Sequence, residues 1–134
     1  MARGKLNLLL VEPQWLIRST VVAVGRSLDL PRIDEAASIE TATQRLAGTR
    51  YDGLLLSLDE REQALALLDK LRAGGFACPA QVPVVVMSAD CDIDLARRMK
   101  QCDVSRVLLK PFKVKTVLES VDGIVGEARR RKTA

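Results

Sequence analysis

Histidine is absent from this chain of 134 residues. That excludes Ser-His-Asp and Cys-His nucleophile chemistry, the commonest zinc and haem ligand, and a histidine phosphocarrier role. Aromatic residues make up 3%, which leaves few stacking platforms for single-stranded nucleic acid. No apolar run approaches the roughly 20 residues of a membrane-spanning helix. Leu6 to Val11 is too short for a signal peptide and meets Glu12 and Pro13 at once. The expectation is a cytoplasmic protein with no membrane partner. The cysteines are three, Cys78, Cys91 and Cys102, at irregular spacing. They form neither a disulfide framework nor a zinc pattern and read as reduced, small apolar residues. A glycine-rich phosphate loop is also missing, because Glu12-Pro13-Gln14 follows the first apolar run.

What is present is hydrophobic matter in short blocks. Hydrophobic residues make up 48% of the chain, enough for one domain with its own core. Four runs each stop on a polar residue: Leu8–Val11 before Glu12, Leu54–Leu56 before Ser57, Val84–Met87 before Ser88, and Val107–Leu109 before Lys110. Such runs, without alternation, suit strands covered on both faces. Strands are expected over Leu6–Val11, Ile33–Ala37, Tyr51–Ser57, Val82–Ser88 and Arg106–Leu109.

Helical spacing fills the gaps between them. Pro13 suits a first helical turn, and Ile17, Val21, Val24 and Leu28 share a face that Asp29-Leu30-Pro31 interrupts. Ser38 is a cap for a helix bearing Ile39, Ala42 and Leu46, which Gly48 ends. Asp59 and Glu60 open a third helix with Ala64, Leu65, Leu68 and Leu71 inward, stopped by Gly74-Gly75. Asp92 caps a fourth, with Ile93, Ala96 and Met99 inward, and Val114, Val117, Leu118, Val121, Ile124 and Val125 stripe the last. Gly53 is a mild weak point in the third strand. Alternation of this kind predicts an α/β fold: a doubly wound, five-stranded parallel sheet with right-handed crossovers and helices on both faces. The ligand crevice of such a sheet lies at the carboxyl ends of its strands.

The residues at those ends carry a resemblance. Lys110-Pro111-Phe112 after an apolar strand, Ser88-Ala89 after Val84–Met87, and Tyr51-Asp52 ahead of Leu54–Ser57 together resemble a response-regulator receiver domain. The resemblance covers about residues 5 to 127 of one receiver-like domain, residues 1–134, with a basic end at 128–134. It implies a flavodoxin-like architecture with strand order 2-1-3-4-5. In that family an aspartate ending the third strand takes a phosphoryl group, and a pair of acids after the first strand helps it hold Mg²⁺. A lysine after the fifth strand pairs with the phosphoryl oxygens, and a serine or threonine after the fourth hydrogen-bonds them.

This chain departs from that pattern at its centre. The phosphoacceptor position is Ser57, a hydroxyl with no negative charge. The acid pair is reduced to Glu12, beside Pro13, and one glutamate is a poor Mg²⁺ site. The switch aromatic position is Val107. Glu12, Ser88 and Lys110 remain, with a Glu12–Lys110 contact expected, and the resemblance implies a cis peptide before Pro111. The pattern is that of a degenerate, or pseudo-, receiver with no catalytic residue, no metal and no cofactor. Among neighbouring acids Asp59 is the least improbable substitute acceptor, ahead of Asp90. Asp52 lies at the wrong end of the strand, about 17 Å away at strand rise.

With the crevice silent, function moves to surfaces. Arg97, Arg98, Lys100, Arg106, Lys113 and Lys115 cluster against one acid, Asp103. A basic face of this kind favours an acidic partner, and a solvated face is the equal alternative. Trp15 sits beside the crevice and is either a partner anchor or packing. The expected function is an atypical stand-alone receiver of phosphorelay signalling, not phosphorylated, that regulates by protein–protein contact. Partners in view are a histidine kinase, another response regulator, an acidic protein or a second copy. The alternatives are phosphorylation on Asp59 and a DNA-associated accessory using Arg129–Lys132. Nucleic acid is disfavoured because no base-reading motif accompanies those charges.

Overall fold

Apolar runs bounded by polar residues become strands when each face has a helix to pack against. A computed structural model describes residues 6–27 and 32–133 of the chain. Its elements run β1 (Asn7–Val11), α1 (Trp15–Ser27), β2 (Arg32–Ala36), α2 (Ile39–Gly48), β3 (Gly53–Ser57), α3 (Arg61–Arg72), β4 (Val84–Ser88), α4 (Ile93–Gln101), β5 (Arg106–Leu109) and α5 (Val114–Thr133). The sheet is parallel throughout, in the order β2-β1-β3-β4-β5. This is the doubly wound, five-stranded flavodoxin-like fold the sequence predicts.

Two cores explain the missing alternation. Leu9, Val11, Leu54, Leu56, Val84 and Val86 face α2, α3 and α4, where Ala42, Leu46, Ala64, Leu68, Leu71, Leu95 and Met99 close over them. Leu8, Leu10, Leu55, Val85 and Met87 face α1 and α5, against Val21, Val24, Val117, Val121, Ile124 and Val125. Both sets of strand side chains leave water, so both must be apolar. The edge strands tell the same story in reverse: β2 reads Arg-Ile-Asp-Glu-Ala and only Ala36 is buried.

Local signals set the helix ends. The Ser38 hydroxyl accepts the Thr41 N–H at 3.1 Å, and the Asp92 carboxylate accepts the Leu95 N–H at 2.8 Å. Gly74, with φ of 79°, ends the α3 region in a conformation that favours glycine.

Several expectations shift. Pro13 stands ahead of α1, which begins at Trp15. Leu28 and the Asp29-Leu30-Pro31 interruption lie outside the described residues. The strands β1, β3 and β4 are one or two residues shorter than expected, although Leu6, Tyr51 and Val82 stay buried beside them, and β2 is shifted one residue back, to Arg32–Ala36. In α3 the inward residue is Leu67, with Leu65 only partly covered. In α4 the residues that point inward are Leu95 and Met99. Ile93, roughly 200° around the helix from Leu95, is 77% exposed, and Ala96 is exposed as well. Val114 is also exposed at the start of α5. Gly53 is a point of close approach: a Cβ there would lie 2.2 Å from Ile124 Cγ2 and 2.8 Å from Leu8 Cδ2.

Candidate functional site

Parallel pairing carries four strand ends to one rim. Val11 pairs with Leu56, Ser57 with Met87, and Ser88 with Leu109. Glu12, Ser57, Ser88 and Lys110 therefore share the carboxyl edge of the sheet, as their positions after apolar runs imply. Glu12 and Ser57 are buried, at 0% and 1% exposure.

Lys110 is the centre of the cluster. Its Nζ lies 2.6 Å from Glu12 Oε1 and 3.2 Å from Asp59 Oδ1. The same ammonium donates to Ser57 Oγ at 3.3 Å. Glu12 Oε1 meets the ammonium as a charge and receives no aligned hydrogen bond, while Oε2 accepts the Gln14 N–H at 3.1 Å. One cation thus serves two carboxylates and one hydroxyl.

Asp59 completes the ring from the β3–α3 loop. Its Oδ2 accepts from Gln14 Nε2 at 2.9 Å, and its own N–H donates to Ser57 Oγ at 3.2 Å. Partial burial works against its charge, but hydrogen bonds from Gln14 and Lys110 and the charge of Lys110 outweigh it. The Asp59 pKa is accordingly held below the ordinary value. Ser57 Oγ accepts two hydrogen bonds, from Lys110 and from the Asp59 backbone, so its lone pairs are engaged. The Lys110 ammonium faces two carboxylates and donates to that hydroxyl.

Ser88 turns elsewhere. Its hydroxyl donates to the Asp90 carbonyl at 2.6 Å, and its carbonyl accepts the Lys110 N–H at 2.7 Å. The Lys110–Pro111 peptide is cis. Val107, at the switch aromatic position, is partly buried against the α2–α3–α4 core. Asp52 faces the opposite end of the sheet, where its carboxylate accepts the Asn7 N–H. The Asp90 carboxylate lies near Arg61, at 3.8 Å. Among the described residues no group of three or more His, Cys, Asp or Glu could hold a metal ion.

Two participants escape sequence reasoning. Gln14 links Glu12 to Asp59, and an amide after a proline gives no signal of that role. Arg18 donates to the Glu12 carbonyl at 2.8 Å and pairs with Glu35 at 3.2 Å, fixing the loop that carries Glu12. Its position four residues after Gln14 on α1 is the only clue.

The basic surface divides on inspection. Arg97, Lys100, Arg106, Lys113 and Lys115 are exposed, and Arg97 reaches Asp94 only at 4.0 Å. Arg98 differs from them, since its guanidinium is bound to Asp69 of α3. Trp15 and Leu16 are 69% and 70% exposed at the first turn of α1. Leu16 borders a groove completed by Ile17, Thr20, Lys110, Pro111 and Phe112. Arg129, Arg130 and Arg131 lie exposed on the last turns of α5. No described helix is long and apolar enough to cross a membrane.

Comparison with protein-family models gives no match, and comparison with curated proteins gives none either. Solved structures do match. A response regulator from Thermotoga maritima superposes with a TM-score of 0.78 at 24% identity, over 92% of this chain and 99% of that one. A signal receiver domain from Vibrio parahaemolyticus gives a TM-score of 0.84 at 18% identity, over 97% of both chains. A CheY-like response regulator receiver domain protein from Methanospirillum hungatei gives 0.81 at 11% identity, over 96% of this chain and 99% of that one. At these identities the likeness is one of architecture, and the chain has the fold of response-regulator receiver domains.

Proposed function

We propose that this chain is a receiver-fold module of phosphorelay signalling that is not phosphorylated and works by protein–protein contact. One observation carries the reading: the residue ending β3 is Ser57, and the cation that donates to it, Lys110, is already bound by Glu12 and Asp59. In the receiver pattern a carboxylate at that position attacks the phosphoryl donor and the lysine receives its oxygens. Here the hydroxyl carries no charge and the lysine is neutralised from within.

Magnesium does not fit these donors. It asks for octahedral oxygen geometry, with carboxylates backed by phosphate oxygens. Glu12 and Asp59 are turned to one ammonium, Ser57 offers a neutral oxygen and Pro13 offers no side-chain donor. The module is accordingly read as no enzyme and as needing no cofactor. Incubation with Mg²⁺ and a small acyl or phosphoramidate donor leaves the intact mass unchanged on this reading. A stable gain of one acid-labile phosphoryl group overturns it.

Contact then falls to the exposed surfaces. The cationic set Arg97, Lys100, Arg106, Lys113 and Lys115 suits an acidic protein surface, a kinase or second regulator among them, or a second copy. The Trp15–Leu16 ridge offers an apolar anchor. On this reading the module works in the cytoplasm. Affinity capture from native cells, compared with an Arg97→Glu/Lys100→Glu variant, tests the cationic face; Arg98 is a poor control because it holds Asp69. Equal recovery of partners by both proteins would exclude that face.

Asp59 supports a second reading. Its carboxylate is charged, 26% exposed and 3.2 Å from Lys110, the company an acceptor would keep. If it is the acceptor, labelling by the same donor occurs and Asp59→Asn abolishes it.

A further inference from the structure

Two consecutive acids on the β3–α3 loop point to different places. Asp59 turns into the crevice, to Lys110 and Gln14. Glu60 turns outward to another helix: its Oε1 accepts the Ile39 N–H at 3.0 Å. Ile39 is the first residue of α2, and its N–H is one of the donors that no turn of its own helix can satisfy. Ser38 caps a different donor, Thr41, at 3.1 Å. The first turn of α2 therefore depends on two acceptors, one local and one borrowed from the crevice loop. Glu60 is free to be borrowed because it makes no side-chain cap on α3, although it occupies the cap position there. Its carbonyl still accepts the Ala64 N–H at 2.8 Å, which ties its backbone to α3.

We propose that the state of the crevice is transmitted to α2 through the Asp59–Glu60 pair. The peptide plane between Asp59 and Glu60 is rigid, so a backbone rotation that carries Asp59 away also swings Glu60. While Lys110 and Gln14 hold Asp59, Glu60 is aimed at the α2 N-terminus, where a carboxylate also suits the positive end of the helix dipole. A ligand that draws Asp59 from Lys110 by turning that peptide withdraws the cap. A cation, an anion competing for the ammonium or a partner side chain would each do so. The first turn of α2 then frays. The element read out is α2, with Ser38 alone left at its start. Phosphorylation is not required, so the coupling stands apart from the reading of Ser57.

Hydrogen exchange at single amides tests this in the full chain. Glu60→Ala removes the borrowed cap and should speed exchange of the Ile39 and Glu40 amides at least fivefold. Asp59→Asn, which does not touch α2, should speed the same two amides at least threefold. Gln14→Ala, which removes the second tether of Asp59, should act in the same direction. Leu95 and Met99 amides in α4 should change by less than twofold in all three proteins, which separates the coupling from general loosening. The proposal is overturned if Asp59→Asn leaves Ile39 and Glu40 within twofold of the parent. It is equally overturned if β3, β4 and α4 amides accelerate as much as those of α2.

Discussion

Lys110 illustrates how one side chain can hold a site shut. Glu12 has no exposed surface and its carboxylate depends on the ammonium 2.6 Å away. Removing one partner of such a buried pair strands the other charge, at a cost of about 3–5 kcal/mol. Lys110→Met is therefore expected to lower stability by about that amount in urea denaturation. Glu12→Gln/Lys110→Met should lose less than the sum of the single changes, since the fully buried Glu12 charge is no longer stranded and only the partly exposed Asp59 loses its ammonium. Asp59 gives a pH signature. Its folded-state pKa lies below the 3.8 of the free group, so the unfolded chain takes up that proton first as pH falls. The stabilisation is complete above about 3.8 and is lost as pH drops through the lower, folded value. Asp59→Asn should remove that acid limb from a plot of stability against pH while leaving the slope above pH 5 unchanged.

At the scale of elements, two glycines of similar appearance in sequence have opposite meanings. Gly53 lets β3 pass beneath α5, with Ile124 occupying the space a Cβ would need. Gly53→Ala should cost about 1–3 kcal/mol by overpacking. Gly123, inside α5, has open space where its Cβ would be. Gly123→Ala should stabilise by about 0.5–1 kcal/mol through helix propensity. Chemical denaturation of the two variants checks both signs. The helix caps were legible in advance because Ser38 and Asp92 act on N–H groups three residues away. The α4 face was misjudged because nine residues with few apolar side chains allow more than one phase. Packing of Leu95 and Met99 on the sheet chose between them.

For the whole molecule, the sheet positions four polar side chains that chemistry leaves incomplete. Completing them is a direct test. Pro13→Asp with Ser57→Asp adds two carboxylates beside Glu12 and Asp59, and the local charge then favours a divalent cation over the single ammonium. Millimolar Mg²⁺ should raise the thermal midpoint of that variant through binding to the folded state. The parent chain should show no shift. A parent midpoint that climbs with Mg²⁺ as the variant's does would refute the claim that its donors do not fit the metal.

The sequence by itself determined the two-faced parallel sheet, since unbroken apolar runs have no other way to leave water than between two layers of helices. It also determined which residues end the strands, because each run stops where the chain reaches the rim and meets solvent. Glu12, Ser57, Ser88 and Lys110 could be named on that ground alone. Beyond the expected Glu12–Lys110 contact, only the tertiary structure decided who partners whom. Asp59, Gln14 and Lys110 are 45 to 51 residues apart in their pairings, and Glu60 reaches Ile39 across 21. Side-chain directions on short loops follow from the packing of the elements that carry them, and no local pattern of residues encodes them.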